Sequence, residues 1–270
     1  MKISIAQPQT VSSTRFTEPE FDMFQSLTVI DGKEYTFSRH VEQLNWIFST
    51  INVNGENIGF GEDPRAFDFF GMPACYSVRF REHERFTPQL YFNDGDSWNK
   101  IDIHMEDGSD PGKNWGPFVY NGALHFVHSV SPFTVLRVEG DTANKILELP
   151  VKASIHAIDR YPALRSGSNG LEVADGIIVG FGHDNYVRGS TIFDIWHKPF
   201  AWTLDMEAGT VEIQEFADYP WHQDGFKIID ASSFFKKDGR YYLMTAEGET
   251  NQAQPDQEFR SVIREINLDL

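Results

Sequence analysis

Five times along the chain, a short apolar run meets a glycine turn and leaves as a second run of alternating character. These segments span 27–37, 66–78, 118–128, 171–179 and 233–243. Their turns are Asp31-Gly32, Phe70-Gly71, Asn121-Gly122, Asp175-Gly176 and Asp238-Gly239. Asn, Asp and Gly tolerate the positive φ of a tight hairpin, and alternation on either side reads as a strand pair. Further β-rich stretches, such as 134–138 and 210–213, lie between the hairpins and bring each unit to about four strands. Hairpins recurring about every 40 to 60 residues fit four-stranded blades around a central channel. The expected fold is all-β, a single five-bladed β-propeller over residues 1–270 with about four antiparallel strands per blade. A β-sandwich with frequent Asp-Gly turns is the competing arrangement. One short helix is expected within 38–49, where Val41, Leu44 and Phe48 would share a face.

Composition bounds the partners. A chain of 270 residues with 40% hydrophobic content can bury a large core. Its net charge of -17 disfavours nucleic acid and anionic membranes, so any bound phosphate needs a local basic pocket. Cys75 is the sole cysteine, which excludes an intrachain disulfide. No stretch reads as a signal h-region or a membrane span, and a soluble cytoplasmic protein is the default expectation.

Propeller topology carries polar groups from distant blades to one mouth of the channel. The groups flanking the hairpins are therefore the site candidates: Arg39 and His40; Glu62, Asp63 and Arg65; Lys113 and Asn114; Arg165 with Ser166, Gly167 and Ser168; His183 and Asp184; Asp230; and Glu247. His125 and His128 fall on opposite strand faces and do not suggest a shared metal. No Cys and His spacing suggests zinc, and no glycine-rich loop suggests a dinucleotide or P-loop site.

Five short motifs occur in a telling order: Glu62-Asp63-Pro64-Arg65, Lys113-Asn114-Trp115-Gly116-Pro117-Phe118, Ser129-Val130-Ser131-Pro132, Arg165-Ser166-Gly167-Ser168 and Gly180-Phe181-Gly182-His183. In this order the chain resembles the β-mannoside phosphorylases of glycoside hydrolase family 130 and related propeller-type mannosyltransferases, over roughly residues 25 to 250. Relatives often carry Arg-Gly-Gly where this chain has Arg165-Ser166-Gly167.

The resemblance implies that Asp63 is the general acid or base at the glycosidic oxygen. It also implies that Lys113 and His183 contact phosphate. Arg165 adds a planar fork of donors to that set. Glu62, Arg65 and Asn114 would complete the substrate site, and Asp230 and Glu247 would hold sugar hydroxyls or serve as a second acid. The co-substrate expected is inorganic phosphate, a sugar phosphate or a nucleotide sugar, with no bound cofactor and an oligosaccharide as partner. An inverting hydrolase, which needs two carboxylates about 6.5 to 9.5 Å apart, and a non-catalytic glycan-binding propeller are the alternatives.

Overall fold

The computed structural model describes residues 1–15, 20–42, 48–81, 85–151, 164–187, 195–249 and 257–269. Two N-terminal strands, β1 (Lys2–Ile5) and β2 (Gln9–Arg15), precede the first blade. That blade is β3 (Glu20–Ile30), β4 (Lys33–Glu42), β5 (Thr50–Val53) and β6 (Glu56–Phe60). The second is β7 (Glu62–Phe69), β8 (Met72–Arg81), β9 (Arg85–Asn93) and β10 (Trp98–Asp102). A two-residue strand, β11 (His104–Met105), lies against the outer strand of the third blade, β12 (Gly116–Tyr120), β13 (Ala123–Val130), β14 (Phe133–Glu139) and β15 (Thr142–Leu149). The fourth is β16 (Leu164–Ala174), β17 (Ile177–Val187), β18 (Ile195–Asp205) and β19 (Thr210–Glu215). The fifth is β20 (Ile228–Lys237), β21 (Arg240–Gly248) and β22 (Glu258–Asp269), completed by β1.

These five small sheets form the expected propeller. The five glycine hairpins join the first and second strand of each blade, and the glycine of every turn takes the left-handed backbone that made it legible. Asp31, Asn121 and Asp238 have φ of 49°, 48° and 50°, each followed by a glycine of positive φ. Strands β3, β7, β12, β16 and β20 ring the channel, each packed on the next. Strand alternation dictates that a first strand starts, a second ends and a third starts at the same mouth of the channel. That mouth is where the site forms.

The core is divided among the blade interfaces rather than gathered in one place. Phe37, Ile51, Ala66 and Cys75 pack between the first and second blades. Tyr76, Leu90, Trp115 and Phe126 fill the next interface, and Phe118, Phe133, Phe200 and Trp202 the one after it. Phe181, Ile229, Ala231 and Phe234 join the fourth blade to the fifth, and Leu27, Phe235 and Met244 close the ring. Because blades are covered on both faces, strands such as Ile178, Val179 and Phe181 bury consecutive apolar residues instead of alternating. Among the described residues no helix is long and apolar enough to cross a membrane.

The helix expected over 38–49 is corrected. Ser38 to Glu42 continue β4, paired with β3 from Met23↔Arg39 to Glu20↔Glu42. The ladder to β3 outweighs the weak helical spacing, and the apolar Phe37 and Val41 lie on one face as a period of two requires. Leu44 lies outside the described residues.

Candidate active site

Four of the five channel strands break their ladder near the mouth. Register shifts fall between Met23 and Ser26, Glu62 and Arg65, Ser166 and Gly170, and Ala231 and Ser233. A bulge turns side chains that would otherwise alternate and aims them into the mouth. Phe24, Asp63 and Asn114 also adopt left-handed backbone there, with φ of 51°, 49° and 67°. For a bulky residue such as Phe24 that conformation is costly, and such residues cluster where function fixes geometry.

Asp63 sits at this bend and lines a cleft of about 190 Å³ with Phe24, Asp230, His197, Glu247 and Arg260. Arg39 reaches it from the end of β4: its Nη1 lies 3.0 Å from Asp63 Oδ1 and 3.6 Å from Glu62 Oε2. Arg39 is itself fixed by donating from Nε to Ser49 Oγ at 3.0 Å. One guanidinium therefore serves two adjacent carboxylates. Burial raises the Glu62 carboxyl above its ordinary value; Arg39 and Lys113 oppose the rise and the Asp63 charge adds to it.

Arg65 lies beneath the cleft, 1% exposed. It donates from Nη1 to the Ala231 carbonyl, and its guanidinium lies 4.5 Å from the Phe24 ring centre. Burial lowers its pKa, while Asp63 and Asp230 hold it charged from two blades. This buried cation ties the second blade to the fifth.

Across the channel, Asp230 meets two stacked imidazoles. His197 Nδ1 lies 2.6 Å from Asp230 Oδ1 and His183 Nδ1 3.5 Å from it, with ring centres 4.8 Å apart. Burial works against the Asp230 charge, but His183, His197 with its hydrogen bond, and Arg65 outweigh it and keep the carboxyl ionised far below its usual range. Burial likewise pushes His183 well below an ordinary histidine despite Asp230, with His197, Arg165 and Arg65 adding to the shift. Arg165, half-buried, faces His183 directly in the β16–β17 register.

Not all of the expected residues share one spot. Asp63, Asp230 and Glu247 line the cleft, and Arg65 underlies the first two. Arg165 and His183 stand behind Asp230. Lys113 is exposed, 5.6 Å from the Phe86 ring centre, and its charge is felt at Glu62. Asn114 is half-buried beside it.

Glu247 has no exposed side-chain surface. Its Oε1 accepts from Arg264 Nη2 at 2.7 Å and Thr245 Oγ1 at 2.9 Å, and its Oε2 accepts from Arg260 Nε at 2.8 Å. It thus aims Arg260, whose guanidinium lies 3.8 Å over the Phe226 ring and which also lines the cleft. The two other histidines considered above stay apart: His125 stacks on Phe118, and His128 packs edge-on to Trp115.

Sequence reasoning missed Asp22, His197 and Arg260, all of which line the cleft. Asp22 begins β3 and lies 2.9 Å from His40 Nδ1. His197 and Arg260 begin third strands, β18 and β22, whereas the sequence signal came from hairpins joining first and second strands. The strand-direction rule could have found them.

No protein-family model matches the sequence, and no curated protein does. Solved structures do match by shape. A member of glycoside hydrolase family 130, described among mannoside phosphorylases and hydrolases that target β-1,2 mannosidic linkages in Candida mannan, superposes with a TM-score of 0.63 at 11% identity over 96% of this chain and 93% of that one. A candidate glycoside hydrolase from Parabacteroides distasonis gives 0.62 at 10% identity, covering 90% and 86%. An exo-1,5-α-L-arabinanase from a bovine ruminal metagenomic library gives 0.55 at 14% identity, covering 95% and 97%. The chain shares with all three the five-bladed propeller fold.

Proposed function

We propose that this propeller is a carbohydrate-active enzyme that carries out inverting glycosyl transfer, as a glycoside phosphorylase or a glycosyltransferase, with Asp63 as general acid or base. The observation that carries the reading is the placement of Asp63: bent into the cleft by left-handed backbone, gripped by Arg39, and facing Asp230 across a mouth backed by Arg65, Arg165 and His183. The neighbours that act on mannosides and arabinans support a glycan as substrate.

In the phosphorolytic direction Asp63 gives its proton to the glycosidic oxygen as that bond breaks. A phosphate oxygen attacks the anomeric carbon from the opposite face and leaves a sugar 1-phosphate of inverted configuration. Phosphate is already ionised, so a cationic pocket that positions it replaces a second base. Arg165 and, at the rim, Lys113 supply the charge for that task, and His183, held uncharged by burial, offers at most a hydrogen bond beside them. Asp230 would accept from sugar hydroxyls, and Glu247 acts by aiming Arg260.

Hydrolysis is the second reading, favoured by one observation: a second carboxylate, Asp230, lines the same cleft as Asp63. It would then activate water.

The test is product analysis on β-linked mannosides with and without inorganic phosphate. Sugar 1-phosphate formed only with phosphate is expected, and Asp63→Asn should lower the rate by about 10² to 10⁴ while glycan binding persists. Sugar release without phosphate or an activated donor means hydrolysis. Binding without turnover under any of these conditions makes the chain a glycan-binding module.

A further inference from the structure

Two stacked imidazoles, His183 and His197, converge on the Asp230 carboxylate. Their three potential ligand atoms lie within 4.8 Å of one another, contributed by β17, β18 and β20. The His183 side chain is 2% exposed, and its Nδ1 has no hydrogen-bond partner, pointing toward Asp230 at 3.5 Å. A buried ring nitrogen left without a partner is costly unless something else occupies it.

We infer that His183, His197 and Asp230 form a site for one divalent transition-metal ion of the zinc type, held by two imidazole nitrogens and a carboxylate oxygen, with a further coordination position open to the cleft. Two nitrogens and one oxygen suit zinc or its neighbours, whereas calcium and magnesium demand oxygen. His197 and Asp230 both line the cleft, which gives an ion a way in.

At 2.6 Å, the contact between His197 and Asp230 is a hydrogen bond. On binding, that ring proton moves to Nε2 and Nδ1 becomes a ligand, so the imidazole stays neutral. Arg65 and Arg165 bear on the same spot. Asp63 and Asp230 offset those charges in part, and an anion or hydroxide at the open position would complete the balance.

The reading goes beyond glycosyl transfer and does not depend on it, because the test reads binding and not turnover. Metal-free, untagged full-length protein is titrated with Zn²⁺ by calorimetry and with Co²⁺ by visible absorption. One ion per chain is expected, with the intense d–d bands of a low-coordinate cobalt site. His197→Ala and Asp230→Asn should each weaken binding at least about tenfold, and His125→Ala, away from the cluster, should leave it unchanged. Zn²⁺ should raise the melting temperature of the wild type but not that of His197→Ala, which also reports whether the variant folds. The inference is overturned by the absence of saturable binding at one ion per chain, or by binding that survives both ligand substitutions.

Discussion

At the residue scale, the site is governed by how few cations serve how many carboxylates. Arg39 is shared by Glu62 and Asp63, and burial raises the Glu62 carboxyl above its ordinary value in the fold. A carboxyl raised on folding binds more protons in the native chain than in the unfolded one. Stability therefore falls as the pH rises from its usual value of 4.5 toward the raised native value, and the loss is complete above that value. Glu62→Gln removes this loss. Urea midpoints measured between pH 4 and pH 8 should decline less for the variant than for the wild type, leaving it the more stable protein at neutral pH although an ion pair has been deleted. A variant that loses stability evenly across the range would mean that the pair with Arg39 outweighs the cost of burial.

How much of this site could be read from sequence depends on the kind of signal each residue carries. Asp63 stood out because a proline and an arginine follow its acidic pair, and Asp230 and His183 because they flank hairpins. His197 sits between Trp196 and Lys198 in a run with no local mark of function. It acquires a role only when β18 is laid against β17 and β20. The two arginine partners of Glu247 come likewise from one strand, β22, at 13 and 17 residues away, which no local pattern reveals.

At the scale of the element, the Gly180-Phe181-Gly182-His183 motif takes on a meaning different from that of a ligand loop. Trp202 and Phe200 of β18 lie directly opposite Gly180 and Gly182. A Cβ on Gly180 would meet Trp202 Cζ2 at 2.2 Å, and one on Gly182 would meet the Arg165 carbonyl at 2.3 Å and the Phe200 ring at 2.4 Å. The glycines let two rings lie flat on β17 and so set how His183 and His197 stack one step further along. Gly180→Ala should cost about 1 to 3 kcal/mol by overpacking, seen as a lower denaturation midpoint. A midpoint unchanged from the wild type would show that Trp202 can step aside.

The same scale explains what the sequence conveyed and what it did not. Hairpins were legible because positive φ restricts residue choice to Gly, Asn and Asp, a strong local constraint. Residues 38–42 misled because Val41 and Phe48 match a helical spacing by chance, while the partner that decides the matter, β3, is set by pairing.

At the scale of the whole molecule, closure of the ring rests on both ends of the chain. The long β22 carries β2 along its first half and β1 along its second, with Arg15 opposite Glu258 and Lys2 opposite Asp269. Gln214 in the fourth blade adds a clasp, accepting from the Ile3 amide at 3.0 Å and donating to its carbonyl at 2.7 Å. Deleting residues 1–15 leaves the β22 edge unpaired, the exposed template from which sheets aggregate. The truncated chain should elute as oligomers in gel filtration and melt earlier than the intact one. A monomer of undiminished stability would mean that the clasp is dispensable.

This seam also has a consequence in time. During synthesis the first residues emerge long before the strand they must join, so the fifth blade waits, unfinished, for the last part of the chain. Contacts between such remote positions form slowly because the intervening chain must first be confined. A circular permutant that starts at Glu20 and carries residues 1–15 after residue 270 turns the seam into a local hairpin. It should refold faster than the natural order, with the cleft that holds Asp63 and Asp230 reached by an earlier route.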